Sequence, residues 1–353
     1  MTDLDDVRSL RATDASDMLG VVARLPLDAR AGYDAGLAVD PVPIIDGITA
    51  VTYAGMGGSA VAGDILRSLF RDRLGVPVEV NRGPQLPAYC GPSTLLIASS
   101  YSGNTAETLA AFEEATARGC RVMALTSGGQ LGHRASQLGV PVVGVPGGYM
   151  PRAALGHLAF GLLGALEAAG LLPRLAADVD EAVDEMARLI TELAPEVPTT
   201  ANPAKTIAAT LGERTAVIWG AEGFAAVAAQ RWRTQWNENA KLPAFAAAMP
   251  ELDHNEVVGW SRGTGKHFGV VALRHDGEHE EIAARFAASL EIPAEAGAEI
   301  VEVQASGRAP LAQLCSLIVL GDLSATYTGL ARGVDPSPIE AIDRLKAAIG
   351  GPA

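Results

Sequence analysis

The sequence predicts an α/β protein with two doubly wound domains, each a mainly parallel sheet flanked by helices. Its 353 residues are enough for roughly two domains, each with its own core. β-branched runs alternate with helical stretches of apolar periodicity, as in parallel βαβ units. The alternation stops at a proline-rich segment, residues 195–203, and then starts again. We therefore expect two sheets, one after the other along the chain.

The first domain is predicted over residues 41–172, after a helical segment of residues 1–40 that carries no chemistry. Its expected strands are Ile48–Ala54, Val76–Val80, Thr94–Ser99, Arg121–Thr126 and Val140–Val145. Near its end, Ala153–Leu172 is almost wholly apolar and about long enough to cross a bilayer. Because His157 and Glu167 interrupt it, we expect a helix packed by its small residues, either inside the α/β layer or at a subunit interface.

The second domain is predicted over residues 201–353, after a helical connection of residues 173–200. Its expected strands are Thr215–Trp219, Phe268–Leu273 and Glu299–Val303. The two halves differ in one loop. Serines and a threonine follow Thr94–Ser99, whereas Arg274-His275-Asp276-Gly277 follows Phe268–Leu273. We therefore expect the chemistry to be divided between the two domains, not duplicated.

The bulk composition is that of a globular protein and excludes several partners. Hydrophobic residues make up 48% and charged residues 19% of the chain, and the formal net charge is −14. That charge repels nucleic-acid phosphates. The three cysteines, Cys90, Cys120 and Cys315, lack metal-ligand spacing and are expected to be reduced thiols. The acidic first eleven residues do not form a secretory signal, so we expect a cytoplasmic protein without a nucleic-acid or membrane partner.

The loop Ser99–Thr105 carries the strongest local signal for ligand binding. It follows a predicted strand and opens a helix, so backbone N–H groups and the positive end of the helix dipole converge on it. The hydroxyls of Ser100, Ser102 and Thr105 add donors without adding charge, which suits reversible binding of a phosphate monoester. The plainer alternative is a polar turn that binds nothing.

Two further features frame this loop. The turn Gly55–Ser59 follows the neighbouring predicted strand, where Gly58 would let the backbone approach a ligand and Ser59 could bond a sugar hydroxyl. This turn is neither a Walker loop nor a G-x-G-x-x-G motif. On the helix after the serine loop, we expect Asn104 to be the cap and Glu107 to complete a capping box.

A second candidate region lies between Arg231 and Trp260. Glu238 is predicted at the end of an amphipathic helix, and His254 on the loop that follows. A carboxylate and an imidazole near one site can divide proton transfer between carbon and oxygen. Each residue also has a plainer interpretation, as a solvated charge at a helix end and as a loop histidine that bonds backbone. We interpret the remaining histidines as structural or surface residues: His133, His157, His267, His275 and His279.

Six motifs follow one another along the chain. They are Ala-Gly-Met-Gly-Gly-Ser at 54–59, Ser-Tyr-Ser-Gly-Asn-Thr at 100–105, Pro-Arg-Ala-Ala-Leu-Gly at 151–156, Asn-Glu-Asn-Ala-Lys at 237–241, Pro-Glu-Leu-Asp-His-Asn-Glu at 250–256 and Val-Asp-Pro-Ser-Pro-Ile at 334–339. In this set and order, the chain resembles the bifunctional phosphoglucose/phosphomannose isomerases, a family with two sugar-isomerase (SIS) domains. The resemblance implies a metal-free aldose–ketose isomerase that interconverts glucose 6-phosphate or mannose 6-phosphate with fructose 6-phosphate.

The resemblance also implies roles for single residues. Glu238 would be the base that moves a proton between C1 and C2 through a cis-enediol. His254 and Lys346 would open the pyranose ring, and Arg152 would stabilise the enediolate charge. Ser337 stands where the family usually has threonine, at a site associated with tolerance of both C2 epimers, so the balance between glucose and mannose substrates stays open. No cofactor and no metal is implied.

The family resemblance places the ring-opening histidine on the partner chain of a homodimer. The apolar, Ala-rich stretch Leu242–Met249 separates Glu238 from His254 and is hard to leave in water. We expect this stretch to meet a second subunit, and the small-residue face of Ala153–Leu172 is a further candidate surface for that interface. The alternative is that both stretches pack inside one chain.

Other proteins that handle sugar phosphates fit the sequence less well. Metal-dependent phosphomannose isomerases would need a β-rich chain with clustered His and Glu ligands. Amidotransferases with two SIS domains need an N-terminal cysteine, whereas residue 2 is threonine. SIS-type transcription regulators need a basic helix-turn-helix. The remaining competitor is a non-catalytic phosphosugar sensor, which has no use for a base.

Overall fold

The structure, a computed structural model, describes residues 2–260 and 263–348, apart from the side chain of Lys346. Packing divides the chain into two compact units. The first unit runs from Arg24 to Val183, and the second joins the residues up to Ala23 to those from Asp184 onward. The predicted division differs from this one chiefly at the N-terminus, which the sequence sets apart as residues 1–40.

The N-terminal residues join the second unit through two short helices. In chain order these are α1 (Val7–Thr13) and α2 (Met18–Ala23), and both pack on the long helix of that unit. Asp14 starts α2, because its carboxylate oxygens accept the backbone N–H groups of Met18 and Leu19 at 2.7 and 2.9 Å. Met18, Leu19 and Val22 of α2 are buried, so this segment belongs to a core rather than to a separate arm.

The first unit is built on a five-stranded parallel sheet in the order β2-β1-β3-β4-β5. Its strands are β1 (Ala50–Gly55), β2 (Val78–Asn81), β3 (Thr94–Ser99), β4 (Arg121–Thr126) and β5 (Val142–Gly144). Its helices are α3 (Leu25–Leu37), α4 (Gly57–Leu69), α5 (Ala106–Ala117), α6 (Gly129–Gln137), α7 (Gly161–Ala168) and the start of α8 (Ala176–Glu192). Strands β1 and β3 are buried throughout, because helices cover both faces of a parallel sheet.

The strand order reverses between β1 and β3. From β1 the chain crosses to β2 on one side, and it then returns to place β3 on the other side. In open α/β sheets, ligands bind outside the carboxyl ends of the strands at such a switch point. Gly55 lies opposite Ser99 in the register, so the glycine turn and the serine loop share this edge.

The apolar stretch Ala153–Leu172 is not one long helix. A 3₁₀ turn (Pro151–Ala153) and a π-helical turn (Gly156–Phe160) precede α7. The α7 backbone packs directly on α3, with no space for a Cβ atom between Gly164 and the carbonyl oxygen of Tyr33. Of the two predicted alternatives, the buried helix of the α/β layer is therefore confirmed, and the small-residue face is covered within the first unit.

The second unit contains a four-stranded parallel sheet in the order β7-β6-β8-β9. Its strands are β6 (Thr215–Ala221), β7 (Ala244–Met249), β8 (Phe268–Arg274) and β9 (Glu299–Gln304). Its helices after α8 are α9 (Pro203–Leu211), α10 (Phe224–Gln235), α11 (Glu280–Glu295), α12 (Pro310–Ala331) and α13 (Glu340–Ala348). The predicted fold class is thus confirmed in both units.

Helix α12 forms the centre of the second unit. Arg231 of α10 and Asp322 of α12 make a buried ion pair at 2.6 Å, and Trp232 donates its indole N–H to the carbonyl oxygen of Leu317 at 2.7 Å. Within the described residues, α12 is the one helix that is long and apolar enough to cross a membrane, but 94% of its apolar window is buried. Those figures are typical of a core helix, and length and composition alone are weak evidence for a membrane span.

Candidate active site

The serine loop lies at the switch point of the first sheet, between β3 and α5. The hydroxyls of Ser100 and Thr105 are 2.8 Å apart, and the Ser102 hydroxyl accepts the backbone N–H of Asn104 at 3.2 Å. Ser100 is buried, Thr105 is half-buried and Ser102 is exposed. The three predicted hydroxyls therefore lie on one short turn that opens to solvent at Ser102.

The helix after this loop has no side-chain cap. The cap position is Thr105 rather than Asn104, and the Thr105 side chain makes no capping hydrogen bond. Asn104 instead accepts the backbone N–H of Gln130 at 3.1 Å, which ties the loop to the turn after β4. The predicted capping box with Glu107 is therefore wrong. Because no capping side chain bonds the first N–H groups of α5, they are available to an anion.

The glycine turn lies beside the serine loop and is bonded to it. Helix α4 begins at Gly57, inside the predicted turn Gly55–Ser59, so Gly58 and Ser59 lie in its first turn. The Ser59 hydroxyl is buried and accepts the backbone N–H of Tyr101 at 3.2 Å. The oxygen of that hydroxyl therefore joins the two predicted loops, and its O–H could donate a hydrogen bond to a ligand.

Arg152 reaches the same edge of the first unit. A Cβ atom on Gly58 would lie 2.9 Å from the carbonyl oxygen of Pro151 and 3.1 Å from the Cα atom of Arg152. The turn Pro151–Ala153 thus packs directly on the glycine turn, which only glycine allows. Arg152 is buried, and its positive charge lies on the segment that adjoins the start of α4.

Glu238 lies on a π-helical turn, Trp236–Ala240, that continues α10. π turns inside helices are rare and frequent at functional sites. Glu238 is half-buried and lines a cleft of about 460 Å³. The other lining residues are Asn237, Lys241, Val334, Asp335 and the segment Pro338–Ile342. The structure thus brings the Asn-Glu-Asn-Ala-Lys motif and the Val-Asp-Pro-Ser-Pro-Ile motif to one cavity.

Lys241 holds the two sides of this cleft together. Its ammonium donates to the backbone carbonyl oxygens of Glu238, Pro336 and Pro338, the second of these at 2.9 Å. Lys241 ends the π turn in the left-handed region, with φ of 55°, an uncommon conformation for a residue with a side chain. Sequence reasoning passed over this residue, since a lysine at a helix end has no distinctive pattern.

Ser337 lies on the segment that Lys241 holds. It is buried, and its backbone N–H donates to Asp335 Oδ1 at 2.9 Å. Lys346 belongs to α13, and its side chain lies outside the described residues. Within the described part of the chain, no three His, Cys, Asp or Glu side chains are grouped as metal ligands would be.

His254 lies at the opposite end of β7 from Glu238. The Glu238 turn is tied to the start of β7, because Asn237 Oδ1 accepts the backbone N–H of Ala244 at 3.0 Å. His254 ends the 3₁₀ turn that follows Met249, and it is exposed. A six-residue strand spans roughly 20 Å, so Glu238 and His254 of one chain do not share a site. The structure therefore does not bring these two predicted residues together.

The turn that carries His254 is held by two carboxyl groups that sequence reasoning missed. Asp253 accepts from Arg285 at 3.2 Å and from the Ser289 hydroxyl at 2.7 Å, both on α11. Glu256 accepts the indole N–H of Trp219 at 2.7 Å. Burial raises the pKa of Glu256, although the bond from Trp219 partly offsets it. The turn is thus anchored, while His254 itself faces solvent.

The second unit also has a larger cleft, of about 510 Å³, at the edge strand β9. It is lined by residues of α8, α9, β9 and α12, most of them apolar, and it includes none of the predicted site residues. The larger cleft also contains carboxyl groups, those of Glu192 and Glu302, but the smaller cleft is the one that Glu238 and Lys241 line.

Comparisons with known proteins agree with the family resemblance of the six motifs. A sequence profile described as the C-terminal SIS domain of bacterial phospho-glucose isomerase matches residues 200–349. A bifunctional phosphoglucose/phosphomannose isomerase of Caldicellulosiruptor bescii is 36% identical over 333 residues, which cover 93% of this chain and 98% of that protein. A D-glucosamine-6-phosphate 4-epimerase of Sulfolobus acidocaldarius is 27% identical over 262 residues, which cover 74% of this chain and 80% of that protein.

Solved structures share the fold. A hypothetical protein of Thermus thermophilus superposes with a TM-score of 0.75, covering 97% of this chain and 93% of that one, at 17% sequence identity. At that identity the likeness extends to the architecture alone.

Proposed function

The chain belongs to the family of bifunctional phosphoglucose/phosphomannose isomerases, and on that premise we propose that it interconverts glucose 6-phosphate or mannose 6-phosphate with fructose 6-phosphate. The reaction moves a proton between C1 and C2 through a cis-enediol, and it uses no metal and no redox cofactor. The observation that carries the proposal is Glu238, a half-buried carboxylate on a π turn that lines the 460 Å³ cleft.

Glu238 is the base in this proposal. A single carboxylate that reaches both carbons on one face of the enediol can take the proton from one carbon and return it to the other. Lys241 supports this role, since it fixes the backbone carbonyl of the same residue. The electrons of the broken C–H bond move into the enediol, and the adjacent carbonyl oxygen takes up a proton, so no external oxidant or reductant is needed.

The first unit binds the phosphate in this proposal. Ser100, Ser102 and Thr105 donate hydroxyl hydrogen bonds, and the N-terminus of α5 adds backbone N–H groups and its dipole. Gly58 and Ser59 line the neighbouring turn. A site made of neutral donors binds a dianion without the tight ion pair that would slow product release.

Arg152 stabilises the negative charge that develops on the enediolate oxygens, as the family resemblance implies. A buried guanidinium is suited to this task, because electrostatic stabilisation is strongest where water is excluded. Ser337 contacts C2 substituents in the proposal and sets the balance between glucose and mannose substrates. It keeps the hydroxyl of the usual threonine but lacks its methyl group.

His254 and Lys346 open the pyranose ring, and we propose that His254 acts in the site of a partner subunit in a homodimer. The separation along β7 supports this assignment, since His254 and Glu238 of one chain lie at opposite ends of that strand. Phe245 on the same edge strand is 58% exposed, which leaves apolar surface for a second copy to cover. The enzyme would act in the cytoplasm.

The test mixes two variants, Glu238→Gln and His254→Ala, after gentle dissociation and reassociation. Each variant alone should lose roughly 10²–10⁴-fold in turnover. In random pairing half of the dimers are mixed, and each has one complete site of two, so activity should return to at most about a quarter of wild type. If heterodimers form and the mixture stays inactive, His254 acts within its own chain.

A coupled enzyme assay of turnover, together with a binding measurement, decides between competing functions. It offers the wild type glucose, mannose and glucosamine 6-phosphates, with and without EDTA. Binding without turnover would identify a sensor and refute the isomerase. Conversion of glucosamine 6-phosphate alone would indicate an activity like that of the 27%-identical epimerase.

A further inference from the structure

The segment that carries Arg152 is held on both sides by one carboxylate, that of Asp28. Tyr149 lies three residues before Arg152, and its hydroxyl donates to Asp28 Oδ1 at 2.9 Å. His157 lies five residues after Arg152, and its Nε2 is 3.5 Å from the same oxygen. Asp28 belongs to α3, a helix of the N-terminal segment that the sequence leaves without chemistry.

These groups form a cluster within the first unit that is buried at Asp28 and His157, half-buried at Tyr149 and exposed at Arg24. Asp28 is 2% exposed and His157 is 5% exposed. Arg24, at the start of α3, donates to Asp28 Oδ1 and to the Tyr149 hydroxyl, at 3.3 Å in each case. The rings of Tyr149 and His157 meet edge to face, with centroids 5.4 Å apart. The two flanks of the Arg152 segment therefore contact each other as well as Asp28.

The Asp28 carboxyl group is ionised in this setting. Burial raises its pKa, but the hydrogen bonds from His157 and Tyr149 and the charge of Arg24 outweigh burial, so the pKa lies below its usual range. A buried carboxylate that accepts from several donors makes strong, charge-assisted bonds. It fixes the donors more firmly than a neutral acceptor would.

The backbone is packed equally closely at this point. A Cβ atom on Gly156 would lie 2.8 Å from the backbone nitrogen of Ala29 and 2.9 Å from Asp28. The π turn after Arg152 therefore lies against α3 without a side chain between them, which places His157 within reach of Asp28. Interiors packed this densely transmit small displacements, so a shift of Asp28 moves the turn.

The cluster also connects to the serine loop. The backbone N–H of Tyr149 donates to the Tyr101 hydroxyl at 2.6 Å, and Tyr101 lies between Ser100 and Ser102. The Tyr101 hydroxyl in turn donates to the carbonyl oxygen of Pro146 at 3.2 Å. One chain of contacts thus runs from α3 through Tyr149 to the predicted phosphate loop.

We propose that Asp28, acting through Tyr149 and His157, is a positioning residue that sets the place of Arg152 against the reacting oxygens. The inference rests on the proposed function, because it assigns a purpose to the position of Arg152. Asp28 does not touch the substrate. Its charge holds the two flanks of the turn Pro151–Ala153, so that the guanidinium meets the enediolate without first reorganising.

The decisive variant is Tyr149→Phe. It removes one hydroxyl but keeps the ring contact with His157 and the backbone N–H that bonds Tyr101. We expect kcat for whichever hexose 6-phosphate the wild type converts to fall about 10- to 100-fold, a loss typical of a displaced catalytic group. KM and competitive inhibition by inorganic phosphate should change less than about twofold, because the serine loop is untouched. Asp28→Asn should show the same pattern.

A matched control lies on α3, the helix that carries Asp28. Tyr33 is also buried on α3, and its hydroxyl donates to Glu167 on α7, away from the Arg152 segment. Tyr33→Phe deletes the same atom and should leave kcat at the wild-type value. Melting temperatures of all variants show whether a loss of activity is a loss of fold.

The coupling to Arg152 is tested in an Arg152→Lys background. If Tyr149 acts through Arg152, Tyr149→Phe should lower kcat no further there, since coupled residues are not additive. Full additivity, or wild-type kcat in Tyr149→Phe, would overturn the proposal. The same coupling can be measured without turnover from the Kd of arabinonate 5-phosphate, whose carboxylate mimics the enediolate charge, in the same set of variants. An inactive wild type would refute the proposed function. An active wild type in which Tyr149 and Arg152 are not coupled would refute only the role of Asp28.

Discussion

Replacement of Lys241 by methionine should loosen the two walls of the Glu238 cleft. The ammonium donates to the carbonyl oxygens of Glu238, Pro336 and Pro338, and methionine keeps most of the length of the side chain without the donors. A hydrogen bond to a charged group contributes about 1.5–3 kcal/mol to stability. Because Lys241 is half-exposed, water can solvate the released carbonyls, and we expect the free energy of unfolding to fall by about one such bond rather than three.

Activity should fall together with stability. The Val334–Ile339 segment carries Ser337. Lys241 joins this segment to the π turn that carries Glu238, the proposed base. We expect kcat to fall roughly tenfold, because a catalytic group displaced by a fraction of an ångström loses rate. The ratio of kcat/KM for glucose and mannose 6-phosphates should also change, since Ser337 moves relative to Glu238.

Urea unfolding and coupled assays with both sugars measure these effects. Lys266→Met is the matched control, since it removes the same charge from an exposed lysine that does not line the cleft. Wild-type stability together with an unchanged substrate ratio in Lys241→Met would refute the role of Lys241 as a clamp. An equal loss in Lys266→Met would show that only net charge matters.

Two further predictions concern other parts of the site. Ser100→Ala with Thr105→Ala removes two donors from the serine loop, so inorganic phosphate should lose most of its competitive inhibition; undiminished inhibition would place the phosphate elsewhere. The half-buried Glu256 has a raised pKa, so the folded state favours its neutral form, and the stability it contributes is lost as pH rises through the folded pKa. Glu256→Gln, which imitates that neutral form and can still accept from Trp219, should therefore be more stable than wild type near pH 7 in thermal unfolding. The advantage should vanish below the ordinary carboxyl pKa of 4.5, and its persistence there would contradict this account.

The strands were predictable where β-branched residues mark them. β1 and β3 are such runs, and their ends in Gly55 and Ser99 place the two candidate loops together. β7 was missed because its centre is three alanines, Ala246–Ala248, which carry little strand propensity. β7 is a strand because it pairs with β6, and the periodicity of a sequence does not predict such pairing.

The parts of the site that the sequence could not predict depend on contacts between distant residues. Asn104 looks like a helix cap, but its side-chain oxygen instead accepts the backbone N–H of Gln130, in the turn after β4. Asp28 looks like an ordinary charge in the first turn of a helix, and only the packing of α3 on Gly156 makes it a buried anchor. Local patterns identify a polar group and leave its partner undetermined. The candidate residues were thus found by motif, whereas the groups that hold them were found by structure.

The two π turns within the described residues lie beside the two residues with the most direct proposed roles. One begins four residues after Arg152, and the other contains Glu238. A π turn adds a residue to the helix and leaves backbone groups poorly bonded, so it persists only where tertiary contacts support it. Beside Glu238 that support comes from two cations: Lys241 donates to the carbonyl oxygen of Glu238, and Arg332 donates to that of Ala240 at 2.6 Å. Positive groups at the carboxyl end of a helix are also favoured by its dipole. Beside Arg152 the support is the close contact with α3 and the Asp28 carboxylate. In both places, charged side chains from elsewhere in the same unit hold an unusual backbone that local sequence would not adopt by itself, and the proposed catalytic group is the one whose position that backbone sets.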